Sequence, residues 1–427
     1  MKPIAHSKVR RNALLTFRAF KLGRGIAIPS FSTEASSKPP CLQASLYQEL
    51  TSRPVKRTTD RITLSPWHLL NTTLADFLPP SCYPTGFDAS NPDAAYDVPP
   101  DPDVNDFLPQ GHHLVYFPPA VVESGLLPDG TDSLHSPGPP FVRRLWAGGS
   151  IIFNCRERYQ LRMRNTLAVC SENITDVKVQ GAEGDEKVFV SIRRRIRSIP
   201  PRSPPEKELL LQSNEKAMLN PVGGDIGNLA VSETRHLVFL REKSREQAKK
   251  DLEKVGKVIK RRSQDVLYCM IGLLLNMFAA KTTPDFSVSI TPTRALLFRF
   301  SALTFNAHRI HFDPQYTREV EGHRNLLVHG PLTLVLMLSV MRSQLKEGEM
   351  IARFDYRNLA PLYVQEEMRI CVRRDPEHRA KLDVWVEGRD GGYAVKGVAE
   401  LRKTVSFWSS KYLKLDWRPD PDPASDK

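Results

Sequence analysis

Residues 331–345 decide what this chain can fold into. The run Pro331-Leu-Thr-Leu-Val-Leu-Met-Leu-Ser-Val-Met341 is apolar nearly all the way round. A helix of that kind has no polar face to offer water, so other elements must cover it on most sides. Pro331 suits the first helical position, where its missing N–H costs nothing. The cover comes next in the chain. Residues 350–357 and 363–373 read as strands. Leu382, Val384 and Val386 alternate, and Tyr393, Val395, Gly397, Ala399 and Leu401 alternate after the turn Gly388-Arg-Asp-Gly-Gly392. One buried helix followed by an antiparallel meander predicts a sheet wrapped around that helix.

The residues leading into the helix are of a different kind. Phe300-Ser-Ala-Leu-Thr-Phe-Asn-Ala-His-Arg-Ile-His-Phe-Asp313 and Leu327-Val-His-Gly330 hold the densest run of titratable and amide side chains in the sequence. A polar segment capping a buried helix is a place for chemistry. The helix start also offers free backbone N–H groups and the positive end of the helix dipole, which together favour an anion.

The rest of the 427 residues bounds the setting. The length suits two or three domains. Six scattered cysteines (Cys41, Cys82, Cys155, Cys170, Cys269 and Cys371) form no C-x-x-C pair, which argues against a zinc ribbon and a secreted disulfide scaffold. Of the net charge of +13, Lys2, Lys8, Arg10, Arg11, Arg18, Lys21 and Arg24 supply seven units, with no acid before Glu34. This acid-free start, with its amphipathic run Asn12-Ala-Leu-Leu-Thr-Phe-Arg-Ala-Phe-Lys21, has the pattern of a mitochondrial transit peptide. A plain basic tail is the alternative. The mildly basic remainder suits an anionic ligand or an acidic carrier and carries no nucleic-acid motif.

Along the chain, residues 1–40 are read as transit peptide and linker, and 46–78 as helical pieces with Trp67, Leu69, Leu70, Leu74 and Phe77 on the apolar face. Residues 79–140 are rich in Pro, Asp and Gly, interrupted by a strand-like run, His112-His-Leu-Val-Tyr-Phe117. A loop of that length is expected to be functional or wrapped over a surface. Strands are expected at 141–153, 174–179, 188–196 and 233–241. Residues 199–207 form a second proline hinge, and 242–262 read as an exposed charged helix and linker. The apolar run in 265–280 is too short and interrupted for a membrane span; a buried helix or an insertion fits it better. The tail 413–427 is expected to be disordered.

Three segments carry a family likeness: Arg143-Arg-Leu-Trp-Ala-Gly-Gly149, Phe300 to Asp313 as written above, and Glu321-Gly-His-Arg-Asn-Leu-Leu-Val-His-Gly-Pro331. With the helix-and-meander pattern, the chain resembles the MaoC-like (R)-specific hydratase/dehydratase family. The likeness is to its double hot-dog group, which includes fungal mitochondrial hydroxyacyl-thioester dehydratase type 2 and mesaconyl-CoA hydratase. The resemblance implies an α+β double hot-dog: residues 46–241 form an N-terminal half that shapes the substrate pocket, and 282–412 a catalytic half. Residues 242–281 then join them, with 261–281 as an insertion or a retained intron. It also implies reversible loss of water from a (3R)-hydroxyacyl thioester to give a trans-2-enoyl thioester, in mitochondrial type II fatty acid synthesis. The acyl group would ride on acyl carrier protein or CoA, and the protein would be a monomer imitating a dimer, or a homodimer. No cofactor is implied.

Such a reaction needs a base for the α-proton, a proton for the departing hydroxyl, and positive potential on the thioester oxygen. In the family pattern Asp-x-Asn-Pro-x-His, His311 falls on the histidine and is the expected base. Asn306 stands where simpler members have the catalytic Asp. An amide can hydrogen-bond a hydroxyl but cannot protonate it, so Asn306 either orients the leaving group or marks a broken dyad. The resemblance makes the Gly330 N–H the donor to the thioester carbonyl. His308 and His329 are expected to contact substrate, with a structural role open for His308. Asp313 orients His311 or caps a turn. Arg143, Arg144 and Trp146 contact the acyl group or a CoA phosphate, or pack a strand start. Three rivals stand beside this: a metal site among His308, His311, Asp313, His323 and His329, although no H-E-x-x-H is present; a non-catalytic thioester-binding protein; and a hydratase of mesaconyl- or another short branched acyl-CoA.

Overall fold

The computed structural model describes residues 41–91, 107–199, 226–253 and 283–405. The basic leader, the 261–281 segment and the tail 413–427 lie outside the described residues. Among the described residues, ten antiparallel strands form one sheet in the order β1-β3-β4-β5-β2-β7-β10-β9-β8-β6. The first five are β1 (Lys56–Ile62), β2 (Arg143–Phe153), β3 (Thr166–Gln180), β4 (Lys187–Ser198) and β5 (Val231–Leu240). The second five are β6 (Phe286–Ile290), β7 (Glu349–Asn358), β8 (Met368–Arg374), β9 (Lys381–Glu387) and β10 (Tyr393–Lys403). Numbered within each half, the order is 1-3-4-5-2 and then 2-5-4-3-1. The two halves therefore repeat one topology about a central seam. This is the double hot-dog arrangement.

Among the described residues, six helices accompany the sheet: α1 (Leu42–Thr51), α2 (Leu64–Leu74), α3 (Arg245–Glu253), α4 (Arg294–Leu303), α5 (Pro314–Glu319) and α6 (Gly330–Arg342). Helices α2 and α4 each follow the first strand of their half, and they pack on one another. The expected apolar helix is α6. Every residue from Leu332 to Met341 is buried, and the helix packs on β7, β8 and β9. Burial of a Leu, Val or Met side chain contributes about 1.5–3 kcal/mol each, so α6 anchors the core of its half.

The seam pairs Gly148–Ile152 of β2 with residues 353–357 of β7. The glycines of the Ala147-Gly-Gly149 run serve this close approach. A Cβ on Gly148, whose φ is 139°, would lie 2.5 Å from the Tyr356 carbonyl oxygen, and one on Gly149 would lie 2.2 Å from that of Thr234.

Several local expectations change. Residues 46–78 are not all helical: β1 runs between α1 and α2. Its Lys-Arg-Thr-Thr-Asp-Arg-Ile sequence alternates by exposure and not by hydrophobicity, because it is an edge strand. Leu69 faces solvent, at 52% exposure. The strand expected at 112–117 is a 3₁₀ turn, His112–Val115, entered through Gly111 at φ 102°. All of residues 111–117 are buried, and a run buried on every side shows no period to read. Tyr363 pairs with Leu327 in an isolated bridge and residues 364–366 turn, so β8 begins later than expected, at Met368.

Candidate active site

Helix α4 ends at Thr304, and Phe305 turns the chain in the left-handed region (φ 51°). The Asn306 side chain then accepts a 3.0 Å hydrogen bond from the His308 N–H. A 3₁₀ turn, Arg309–His311, follows, and Asp313 stops it by capping α5: its carboxylate accepts from the Tyr316 N–H at 3.0 Å and pairs with Arg309 at 2.8 Å. Of the two roles open to Asp313, the structure shows the cap.

His311 is buried, and its Nδ1 lies 2.8 Å from the Leu327 carbonyl oxygen. A carbonyl only accepts, so Nδ1 carries the proton and Nε2 keeps its lone pair. Burial, with Arg144 nearby, pushes the imidazole down to about 4, against the Leu327 bond that favours the charged form. His311 is therefore a neutral imidazole at physiological pH. His329 stacks on it, ring centroids 3.6 Å apart and planes 22° from parallel, and shares a 2.8 Å hydrogen bond with Ser301 Oγ. His308 meets the His311 ring edge-on at 5.4 Å. Burial first, and then neighbouring His311, holds both flanking imidazoles well below their usual value. Three neutral rings thus lie together without mutual repulsion.

His329 is also the cap residue of α6 and offers no side-chain acceptor to the helix. Pro331 has no N–H, so the Gly330 N–H stands at the helix start with no intrahelical partner. A Cβ on Gly330 would lie 2.9 Å from Cβ and Cγ of Trp146. Glycine is required there because the β2 indole is pressed against the helix end. Trp146 is fixed in turn: its Nε1–H donates to the Tyr356 hydroxyl at 3.0 Å, and the Arg235 guanidinium lies over its ring at 5.0 Å.

Asn306, His308, His311, Gly330, Arg144 and Trp146 line one open cavity of about 940 Å³. It runs from this loop into the N-terminal half, past Leu114, Phe117, Phe189 and Ile192, to Thr58 on the edge strand. Two residues expected to touch substrate do not reach it. His329 lies behind His311, fully buried. Arg143 points elsewhere, its Nε donating to Glu321 at 2.7 Å in a buried ion pair. Arg144 pairs with Asp132 at 3.2 Å while lining the cavity. Ser301, Arg235 and Asp129 also stand at the site. Asp129 sits in a Pro-Asp-Gly run whose composition signals only a turn. Among the described residues, no group of three or more His, Cys, Asp or Glu side chains is placed to hold a metal ion.

The chain belongs to the hydroxyacyl-thioester dehydratase type 2 family, whose profile matches residues 111–364. It is 27% identical over 318 residues to the mitochondrial hydroxyacyl-thioester dehydratase type 2 of Schizosaccharomyces pombe, covering 73% of this chain and 88% of the relative. It is 40% identical over 113 residues to mesaconyl-C(4)-CoA hydratase of Chloroflexus aurantiacus, covering 26% of this chain and 39% of that protein. Among solved structures it is similar to a MaoC-like dehydratase from Phytophthora capsici. That match has 13% identity and a TM-score of 0.48, covering 84% of this chain and 98% of the other.

Proposed function

We propose that the protein is a hydro-lyase that removes water from (3R)-hydroxyacyl thioesters, reversibly, to give trans-2-enoyl thioesters. The observation that carries this is the pairing of His311 Nε2, a neutral base, with the Gly330 N–H at the start of α6, on one cavity. With the thioester oxygen on that N–H, the helix end stabilises the enolate-like charge that forms as the α-proton leaves. His311 takes that proton at Nε2, and its Nδ1–H bond to Leu327 holds the ring in the tautomer the step requires. His329, stacked behind it, keeps the ring from turning away. The Asn306 amide, also on the cavity, orients the hydroxyl. The hollow N-terminal half takes the acyl chain.

The test is hydration of crotonyl-CoA. Wild-type turnover and a loss of about 10²–10⁴-fold in kcat for His311→Ala are expected. Turnover that survives the change would remove His311 as the base. A second reading, hydration of a short branched acyl-CoA bearing a carboxylate, is favoured by Arg144 and Arg235 on the same cavity; a panel of crotonyl- and mesaconyl-CoA separates the two.

The basic leader, and the mitochondrial designation of fungal relatives, support a mitochondrial location, with the matrix as the proposed compartment and fatty acid synthesis as the role. Both acyl carrier protein and CoA fit as carriers. One chain supplies both halves of the site, which supports a monomer as the working unit. Among the described residues, no helix is long and apolar enough to cross a membrane.

A further inference from the structure

Trp146 is held on its ring and on its carbonyl by successive inward-facing residues of β7. Strand alternation puts Phe354, Tyr356 and Asn358 on one face of the sheet, and the first two are buried. Tyr356 accepts from the indole N–H, and Asn358 Nδ2 donates to the Trp146 carbonyl at 2.8 Å. Trp146 lies beyond the last seam pair, Gly148 with Arg357, so a side chain supplies a donor where the ladder has ended. A carbonyl only accepts. The bond therefore fixes the two ends of the Asn358 amide: its NH₂ group is turned to Trp146, and Oδ1 is turned away.

That oxygen is an acceptor without a donor. Among the described residues it has no hydrogen-bond partner, and it is not sealed from solvent. Asn358 lines the cavity. It stands one residue from the oxyanion donor, with Trp146 between them: the Trp146 carbonyl meets Asn358, and a Cβ on Gly330 would lie 2.9 Å from the Trp146 β-carbon. The cavity wall continues from Asn358 through Leu359, Ala360 and Pro361 to Leu362. The first three of these are exposed and Leu362 is buried, so the wall is a rim. It is pinned at both ends. The Leu359 and Ala360 N–H groups donate to the Ala394 carbonyl at 2.8 and 3.2 Å, and the Leu362 carbonyl accepts from the Val328 N–H at 2.9 Å. Past Asn358 its side chains are all apolar.

A thioester with its oxygen on the Gly330 N–H and its acyl chain in the N-terminal half must send its other arm out past this rim. In CoA and carrier-protein thioesters alike, that arm begins with the sulfur, two methylene groups and a secondary amide. The amide N–H is the first hydrogen-bond donor along it.

We infer that Asn358 Oδ1 accepts the hydrogen bond of this first amide N–H and so sets how far the thioester enters the site. The inference rests on the dehydratase reading above. An N–H that leaves water on entering an apolar passage needs a partner there, and Asn358 is the fixed acceptor on the rim. A carboxylate at this position would have no N–H for the Trp146 carbonyl; an amide serves both partners at once. Asn358 touches a part of the substrate that does not react. Its hydrogen bond forms in the ground state and the transition state alike, so losing it raises KM more than it lowers kcat.

The experiment compares the hydration of two crotonyl thioesters by the full chain. One is the thioester of N-acetylcysteamine, which carries the amide N–H. The other is the thioester of mercaptoethyl acetate, in which an oxygen replaces that N–H. The wild type is expected to favour the amide about tenfold in kcat/KM, the size of one neutral hydrogen bond. Asn358→Ala and Asn358→Ser are each expected to bring that ratio to about one. Both are expected to raise KM for crotonyl-CoA about tenfold with kcat within about threefold. A role confined to holding Trp146 lowers both thioesters alike and keeps the wild-type ratio, and that result overturns the inference. An unchanged KM for crotonyl-CoA in both variants does so as well. So does a wild-type enzyme that turns over the two thioesters equally, a result that needs no variant to fold. Absence of wild-type turnover on all three thioesters overturns the dehydratase reading along with it.

Discussion

The strands of the two halves run in one order outward from the seam, yet only one half is filled. In the C-terminal half, α6 occupies the hollow of the sheet with ten consecutive buried residues. In the N-terminal half, among the described residues, α2 is followed by 3₁₀ turns, of which His112–Val115 is wholly buried. That turn is a prop for α6: a Cβ on Gly111 would lie 3.1 Å from Leu338, and the Arg342 guanidinium donates to the Gln110 carbonyl. The cavity opens on this N-terminal half, among Leu114, Phe117, Phe189 and Ile192. One topology thus carries a filled half beside a hollow one.

Acid should break the comparison most broadly, because both halves bury neutral imidazoles. Burial, the largest cause in each case, holds His113, His311 and His323 at about 4 and pushes His112, His308 and His329 well below the usual value. The folded values lie below the unfolded one. Stability is therefore complete above about pH 6.5 and is lost as pH falls toward 4, at roughly 1.4 kcal/mol per pH unit for each histidine. Denaturant titrations at pH 7 and 5.5 should show a fall of several kcal/mol, and His113→Gln should make it shallower.

Next in size is the clamp between the halves. Arg143→Met leaves Glu321 buried without its guanidinium and is expected to destabilise by about 3–5 kcal/mol, measured by urea unfolding, with KM for crotonyl-CoA unchanged. Leu336→Ala in the filled half should cost about 2–5 kcal/mol, whereas Leu114→Ala on the cavity wall should cost about 2 kcal/mol or less, since it opens no new sealed void. Equal losses would show that the N-terminal half is as tightly packed as its twin. The smallest effect is confined to specificity. Thr58→Phe narrows the far end of the cavity and should leave crotonyl-CoA turnover unchanged, while lowering kcat/KM for a long-chain enoyl-CoA about tenfold.

The parts of the fold legible in the sequence were those with a strong period. An apolar helix with no polar face, and a hairpin alternating from Leu382 to Leu401, leave few solutions. Where burial is complete or edge strands are polar, the period vanishes, as at residues 112–117 and in β1. Within the site, the histidine segment and Gly330 stand out in the sequence because they belong to its densest polar runs ahead of an apolar helix. Asp129 does not, because its place depends on a loop folding back across the seam onto Ala307. The expected substrate contacts of Arg143 and His329 failed to appear for the opposite reason. Their sequence neighbours do face the cavity, but strand alternation turns Arg143 toward Glu321 and the helix cap turns His329 behind His311.

The seam between β2 and β7 also has a consequence for biosynthesis. The N-terminal half leaves the ribosome with all five of its strands, but β2 lies at its margin and waits for β7, some two hundred residues later. Until then its Gly148–Ile152 backbone is an open ladder edge that any passing strand can pair with. Nascent chains should therefore rely on holding factors during this interval, and truncations that end before β7 should precipitate.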